Sequence, residues 1–140
     1  MEGVITRTIV IEDYKIINEW RKIYGEKYLP KISDLPDKGF GGVVLEKNGD
    51  LFGVCYIYLT NSTIGYLGDA VFNPNYKSKD KFELGQTLLD ECVKRAGDLG
   101  CAYIWATSSS KGVLERCKKS GFHITHEDQT IIMKSTNNVR

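Results

Sequence analysis

One carboxylate in this sequence is surrounded by small and apolar residues. Asp69 lies in the run Leu67-Gly68-Asp69-Ala70-Val71, whose composition is typical of a buried strand. A carboxylate partly removed from water in such a strand can act as a general base that accepts a proton from a nucleophile. The alternative is a structural aspartate that accepts main-chain hydrogen bonds at a bulge near Gly68. Both interpretations place Asp69 on a central strand.

The sequence also contains four cysteines, which are Cys55, Cys92, Cys101 and Cys117. No two of them have the Cys-x-x-Cys spacing and no group of histidines complements them, so the sequence predicts no metal site. Each lies in an apolar pattern, which favours buried free thiols in a reducing compartment.

The elements that position these residues follow from the hydrophobic periodicity. The pattern predicts strands at Val4–Val10, Val43–Lys47, Leu51–Thr60, Ile64–Phe72 and Cys101–Thr107, and a last strand or hairpin at Phe122–Lys134. It predicts helices at Tyr14–Tyr24, at Lys111–Ser120, and from Lys81 or Leu84 to Asp98. Asn48-Gly49 predicts a tight hairpin turn. Glu26–Gly42 predicts a long loop, and the apolar run of Cys101–Thr107 predicts burial on both of its faces.

The order β-α-β-β-β-α-β-α-β indicates an α/β fold with a mixed, mostly antiparallel sheet and helices on both faces. A chain of 140 residues suits one domain, which we assign to residues 1–134 with a polar tail at 135–140. The net charge of +1 disfavours nucleic acid or an anionic membrane as a partner. The sequence has neither a long apolar run nor a secretory signal pattern, so we expect a cytoplasmic protein.

Three local motifs in this order resemble the GNAT superfamily of acyl-CoA N-acyltransferases. The motifs are Asp69-Ala70-Val71-Phe72-Asn73-Pro74, Gly85-Gln86-Thr87-Leu88-Leu89 and Cys117-Lys118-Lys119-Ser120-Gly121-Phe122. They are similar, in turn, to the family's central strand end, to the last glycine of its acyl-CoA loop with the following helix, and to its closing Tyr-x-Lys-x-Gly-Phe motif. The chain also resembles the short GNAT-like proteins that bacteriophages carry.

The resemblance implies an N-acetyltransferase that uses acetyl-CoA and acts on a primary amine of a small molecule or a protein. It implies Asp69 as the base and Cys117, in the place of the family's tyrosine, as the acid that protonates the leaving thiolate. The cofactor-binding residues that it implies are Ala70, Val71, Phe72, Lys77, Lys79, Lys81, Gly85, Gln86 and Ser110. The pantetheine arm would bind main-chain groups of the strand, and the pyrophosphate would bind the start of the next helix.

The phosphate loop departs from the family pattern Arg/Gln-x-x-Gly-x-Gly/Ala. Asp80 stands in place of the basic or amide residue, and Glu83 stands in place of the middle glycine. These two residues also fit a capping box, in which side chains of the helix itself occupy the anion site. The alternative to an enzyme is therefore a catalytically silent GNAT-like module that binds a partner or acyl-CoA without turnover.

Aromatic residues near the long loop allow two interpretations. Trp20, Tyr24 and Tyr28 could line an acceptor pocket with Pro30–Pro36. Trp20 and Tyr24 also lie on the apolar stripe of the first helix, which favours packing in the core.

Overall fold

The computed structural model describes residues 2–24, 30–108 and 110–136. Within these ranges the strands are β1 (Val4–Thr8), β2 (Gly42–Lys47), β3 (Asp50–Tyr58), β4 (Ile64–Phe72) and β5 (Tyr103–Ala106), and the α-helices are α1 (Ile11–Tyr24), α2 (Lys81–Asp98) and α3 (Lys111–Lys119). Two short 3₁₀ helices, Ile32–Asp34 and Pro36–Gly39, lie in the loop before β2. None of the described helices has the length and apolarity that crossing a bilayer requires.

The strands form one sheet in the order β1-β2-β3-β4-β5. The first four strands are antiparallel neighbours, and β5 runs parallel to β4. Asn48 and Gly49 join β2 to β3 with φ angles of 53° and 88°, which are the left-handed values of a tight hairpin turn. α2 makes the crossover from β4 to its parallel neighbour. The α/β class and the mostly antiparallel sheet are therefore confirmed.

Helices cover both faces of this sheet because successive side chains of β3 point in opposite directions. Val54 and Tyr56 pack with Ile17 and Trp20 of α1 in one buried cluster. The second buried cluster lies under α2 and consists of Val43, Leu45, Phe52, Cys55, Ile57, Leu67, Leu84, Leu88, Cys92 and Ala96. We call these the α1 side and the α2 side of the sheet. The predicted helices on both faces are confirmed.

An ion-pair network ties the start of α1 to the first strand. Arg7 Nη1 and Nη2 donate to the carboxylate of Asp13 at 2.8 and 3.0 Å, and the Val10 N–H donates to it at 2.9 Å. The Asp13 residue is only 3 % exposed. Burial alone would raise the pKa of Asp13, but the hydrogen bonds from Arg7 and Val10 outweigh it and hold that pKa below its usual value.

Two predictions about the C-terminal third are wrong. Among the described residues 122–136 there is no strand. The segment has no sustained alternation to select a buried face, since Phe122 is followed by a polar stretch and Ile131–Met133 are three consecutive apolar residues. β5 is not buried on both faces, because it forms the edge of the sheet and leaves Tyr103 and Trp105 exposed by 69 and 63 %.

Candidate functional site

β4 separates from β5 halfway along its length. The two strands pair from Ile64↔Tyr103 to Leu67↔Ala106, whereas β4 continues to Phe72. The second half of β4 therefore has no paired strand on its β5 side within the described residues. Main-chain groups in such a gap are available to an extended ligand that adds to the sheet like a strand. We call this space the β4–β5 gap.

A bulge lies where the gap opens. Val54 of β3 faces Val71, but Tyr56 faces Gly68, so two steps along β3 correspond to three steps along β4. Asp69 is the extra residue of this bulge. Its φ of 52° is a left-handed value, which aspartate tolerates better than most residues. The bulge that the sequence predicted near Gly68 is present in the structure.

The carboxylate of Asp69 is held by a side chain. Tyr58 Oη donates a hydrogen bond to Asp69 Oδ2. Burial and this hydrogen bond raise the pKa of Tyr58, so the phenol remains a donor at neutral pH. Tyr58 packs against the buried cluster on the α1 side. Among the described residues no main-chain N–H donates to the Asp69 carboxylate, in contrast to the structural alternative.

The main chain of β4 alternates between β3 and the gap. The Asn73 N–H donates to the Phe52 carbonyl at 2.8 Å, so Asn73 and Val71 face β3. Ala70 and Phe72 face the gap by the same alternation. The Phe72 carbonyl oxygen accepts a hydrogen bond from Tyr24 Oη at 2.9 Å.

Tyr24 therefore reaches the gap from the end of α1. Tyr24 is 52 % exposed, so the prediction that it packs in the core is wrong. The same prediction is confirmed for Trp20, which is buried. Tyr28 lies outside the described residues. The hydrogen-bonding role of Tyr24 has no signal in the sequence because it depends on where α1 ends relative to β4.

The start of α2 does not form the predicted capping box. Asp80 occupies the N-cap position, yet its side chain makes no capping hydrogen bond. Its carboxylate instead pairs with Lys47 Nζ and accepts a hydrogen bond from Tyr76 Oη at 2.7 Å. The bond from Lys47, and then that from Tyr76, hold the pKa of Asp80 well below its usual range. Glu83 is exposed, and neither its side chain nor that of Asp80 accepts a hydrogen bond from the first main-chain N–H groups of α2.

Of the remaining predicted cofactor-binding residues, the three lysines are exposed, whereas the side chains of Gln86 and Ser110 make hydrogen bonds within the fold. Lys77, Lys79 and Lys81 are exposed around the start of α2. Gln86 points away from the gap, because its Nε2 donates to Ser120 Oγ and its side chain bridges α2 to the end of α3. Ser110 caps α3, and its Oγ accepts the Val113 N–H at 3.4 Å.

Gly85 has a contact that the sequence did not reveal. A Cβ at this position would lie 2.6 Å from Nε of Arg116, so any other residue would require the Arg116 guanidinium to move from its present place. Arg116 extends from α3 to the first turn of α2. The arginine was missed because its position depends on how α3 packs on α2.

Cys117 lies on the opposite side of the sheet from the Asp69 carboxylate. It is half-buried on α3, and burial followed by the nearby Cys55 raises the pKa of its thiol. Cys55 belongs to the buried cluster under α2. Because Asp69 is bonded to Tyr58 on the α1 side and Cys117 lies near Cys55 on the α2 side, the two predicted catalytic groups approach the sheet from different sides.

Two cavities lie outside the gap. One of about 680 Å³ lies where Ile57 at the end of β3 and Leu59 just after it meet Leu99 beyond the end of α2, and it contains none of the predicted catalytic or cofactor-binding residues. A second, of about 420 Å³, lies between α1 and the loop after β4 and is lined by Trp20 and Lys77, among others. The second is lined by Tyr76 and Lys77 of the loop that precedes α2, but by no residue of α2 itself.

Solved structures of known proteins share this fold. N-acetylglutamate synthase from Neisseria gonorrhoeae, complexed with coenzyme A and L-arginine, aligns over 94 % of this chain with a TM-score of 0.70 and 18 % identity. This chain covers only 30 % of that enzyme. An acetyltransferase from Trypanosoma brucei aligns with a TM-score of 0.65 and 20 % identity over 94 % of this chain and 99 % of its own.

The yncA protein from Salmonella typhimurium, solved with its cofactor acetyl-CoA, aligns with a TM-score of 0.64 and 16 % identity over 89 % of this chain and 82 % of its own. No curated protein sequence matches the chain. Residues 10–122, which include β2 to β5, the bulge and the three α-helices, match the acetyltransferase (GNAT) family. The chain therefore belongs to the acetyltransferase (GNAT) family.

Proposed function

We propose that this protein binds acetyl-CoA in the β4–β5 gap and transfers the acetyl group to a primary amine. The observation that supports this proposal most strongly is the bulge at Asp69, which presents a carboxylate where β4 leaves β5. An opening between two strands thus has a carboxylate, a possible proton acceptor, at its edge. Family membership and the likeness to proteins solved with coenzyme A or acetyl-CoA support the choice of donor.

The donor would bind along the second half of β4. The gap-facing main-chain groups of Ala70 and Phe72 would pair with the amides of the pantetheine arm. Tyr24 must give up its bond to the Phe72 carbonyl oxygen if the arm is to use that group. The pyrophosphate would bind the uncapped N–H groups at the start of α2, where the helix dipole also favours an anion.

The acceptor would approach from the α1 side, where the Asp69 carboxylate points. Asp69 would take a proton from the ammonium group, and the free amine nitrogen would then attack the thioester carbonyl carbon. A main-chain N–H of β4 that faces the gap is suited to stabilise the oxyanion of the tetrahedral intermediate. Collapse of the intermediate breaks the C–S bond, the attacking nitrogen loses its second proton to solvent, and the thiolate takes a proton from an acid or from solvent, which yields the N-acetylated amine and coenzyme A.

Cys117 fits the role of the acid for the departing thiolate. Burial raises the pKa of its thiol, so the group carries its proton at neutral pH. It lies on the α2 side of the sheet, opposite the proposed entry side of the amine. Base and acid would then act from the two sides of the gap. A thiolate is also a good enough leaving group to depart without an acid, so we expect Cys117 to affect the rate without being essential.

The experiment is release of free coenzyme A thiol from acetyl-CoA in the presence of a panel of primary amines. The panel should include a polyamine, an aminoglycoside and peptides with a free N-terminus or a lysine. We expect thiol release above the hydrolysis background with at least one class, together with a product heavier by one acetyl group in the mass spectrum. Asp69→Asn serves as the matched variant that should lose turnover.

The rival function is a silent module that binds acetyl-CoA without turnover. It is favoured by the thiol of Cys117 where the family has a tyrosine, and by Asp80 and Glu83 in the phosphate loop. This rival predicts binding of acetyl-CoA with no thiol release for any amine class. Absence of acetyl-CoA binding would contradict the enzyme and would favour the other form of the rival, a silent module that binds a partner.

A further inference from the structure

The guanidinium group of Arg116 lies between the end of β4 and the start of α2. Its Nη2 is 3.5 Å from the Lys81 carbonyl oxygen. Its central carbon is 5.1 Å from the centre of the Phe82 ring and 5.8 Å from that of Phe72. Phe72 ends β4, and Phe82 lies in the first turn of α2. An α3 side chain thus reaches the junction at which the gap meets the helix start.

This guanidinium has unused hydrogen-bonding capacity. Nε of Arg116 is buried and has no hydrogen-bond partner among residues 2–24, 30–108 and 110–136. No carboxylate in the same ranges lies within ion-pair distance of it. A buried N–H without a partner is costly, and it is more so on a charged group, so an anion bound here would relieve the cost.

Gly85 makes this placement of Arg116 possible. The Cβ of any other residue would lie within 2.6 Å of Nε and within 2.7 Å of the guanidinium carbon. The glycine that resembles the family's loop glycine therefore also provides space for an arginine from a different helix. A second cation is close by, since Lys119 Nζ lies 4.9 Å from the centre of the Phe82 ring.

We infer that Arg116 binds the diphosphate of acyl-CoA and supplies from α3 the positive charge that the loop lacks at Asp80. This inference rests on the proposed function, because it names a residue that binds its donor. A guanidinium presents parallel N–H groups that match two phosphate oxygens, which an ammonium group does not. The carboxylate of Asp80 is already paired with Lys47, so its charge is balanced within the fold.

The test compares acetyl-CoA with S-acetyl-pantetheine, which lacks the entire 3′-phosphoadenosine diphosphate, and with acetyl-dephospho-CoA, which lacks only the 3′-phosphate. Acetyl-CoA carries the diphosphate, whereas S-acetyl-pantetheine has the same thioester and pantetheine arm without it. Arg116→Gln should weaken acetyl-CoA binding by about 10- to 100-fold, the range expected for lost charge-assisted hydrogen bonds. It should weaken binding of acetyl-dephospho-CoA, which keeps the diphosphate, to the same degree, and change binding of S-acetyl-pantetheine by less than about 3-fold. The dissociation constants are measured by calorimetric titration.

Two further variants complete the design. Lys118→Gln removes the same charge from an exposed position of α3 and should leave all of these affinities unchanged. Arg116→Lys keeps the charge but loses the forked geometry, and it should give an intermediate loss only for the donors that carry the diphosphate. It also carries the test if Arg116→Gln does not fold, which the melting temperature reveals.

The outcomes separate this inference from the proposed function. If the unaltered protein binds acetyl-CoA and the Arg116 variants bind it equally well, the inference fails and the proposed function stands. Equal losses for acetyl-CoA and S-acetyl-pantetheine would also overturn it, because the effect would not involve the phosphates. If the unaltered protein binds neither donor, both fail.

Discussion

Replacing Asp69 with asparagine separates the proposed base from its structural surroundings. Asparagine keeps the shape of the side chain and removes its basicity. The residue occupies the extra position of a bulge with a φ of 52°, and asparagine adopts left-handed values as readily as aspartate. An alanine would instead introduce backbone strain that confuses the result.

The structure gives the size of each expected effect. The amide oxygen of asparagine can still accept the hydrogen bond from Tyr58, so only the difference between a charged and a neutral acceptor is lost. That difference is about 1 kcal/mol in the free energy of unfolding. Loss of a general base should lower kcat by about 10²- to 10⁴-fold. Acetyl-CoA affinity should change by less than about 3-fold, since main-chain groups of β4 and α2 would hold the donor.

The assay measures thiol release under saturating acetyl-CoA, with the dissociation constant determined separately by calorimetry. A near-normal melting temperature is the control for folding. If Asp69→Asn melts normally, binds acetyl-CoA normally and turns over at the parental rate, Asp69 is not the base. A loss of affinity as large as the loss of turnover would instead show that the carboxylate supports the donor site.

Three other substitutions test separate parts of the structure. Arg7→Met should lower the free energy of unfolding by about 3 kcal/mol at pH 7, measured by urea denaturation, because it leaves a buried Asp13 carboxylate without its cation. Because folding lowers the pKa of Asp13, its ionised carboxylate stabilises the fold at pH values above the usual carboxyl pKa, and this stabilisation is lost as the pH falls toward the lowered pKa. The difference in the free energy of unfolding between Arg7→Met and the unaltered protein should therefore become smaller toward pH 3. Tyr24→Phe frees the Phe72 carbonyl oxygen and should tighten acetyl-CoA binding several-fold, by calorimetry, with less than about 1.5 kcal/mol lost in stability. Glu83→Gly removes an exposed negative charge at the start of α2 and should also tighten acetyl-CoA binding, at a cost of up to about 1 kcal/mol in helix stability measured by thermal melting.

Local patterns were sufficient to predict most of the sheet. The bounds of β4 at Ile64–Phe72 match the prediction because turn residues flank an apolar run on both sides. The hairpin at Asn48-Gly49 follows from the left-handed backbone that such a turn requires. The predicted last strand is absent from the described residues 122–136, since that segment has no sustained alternation to select a buried face.

The site depends more on contacts between distant residues. The capping box predicted at Asp80 is wrong because the Asp80 carboxylate pairs with Lys47, which is 33 positions away in the sequence. Neither Tyr58 nor Arg116 belongs to a recognisable sequence motif. The fold brings Tyr58 beside Asp69 and Arg116 beside Gly85, and these contacts could not be predicted from local patterns. Asp69 itself was identifiable because a carboxylate in an apolar strand is unusual.

The central claim is that acetyl-CoA binds in the β4–β5 gap, and calorimetric titration of the purified protein with acetyl-CoA tests it most directly. The account predicts saturable binding with one site per chain, together with a rise in melting temperature because the ligand binds the folded state. It also predicts that Arg116→Gln weakens this binding. Absence of heat and of any thermal shift at millimolar acetyl-CoA would contradict the account.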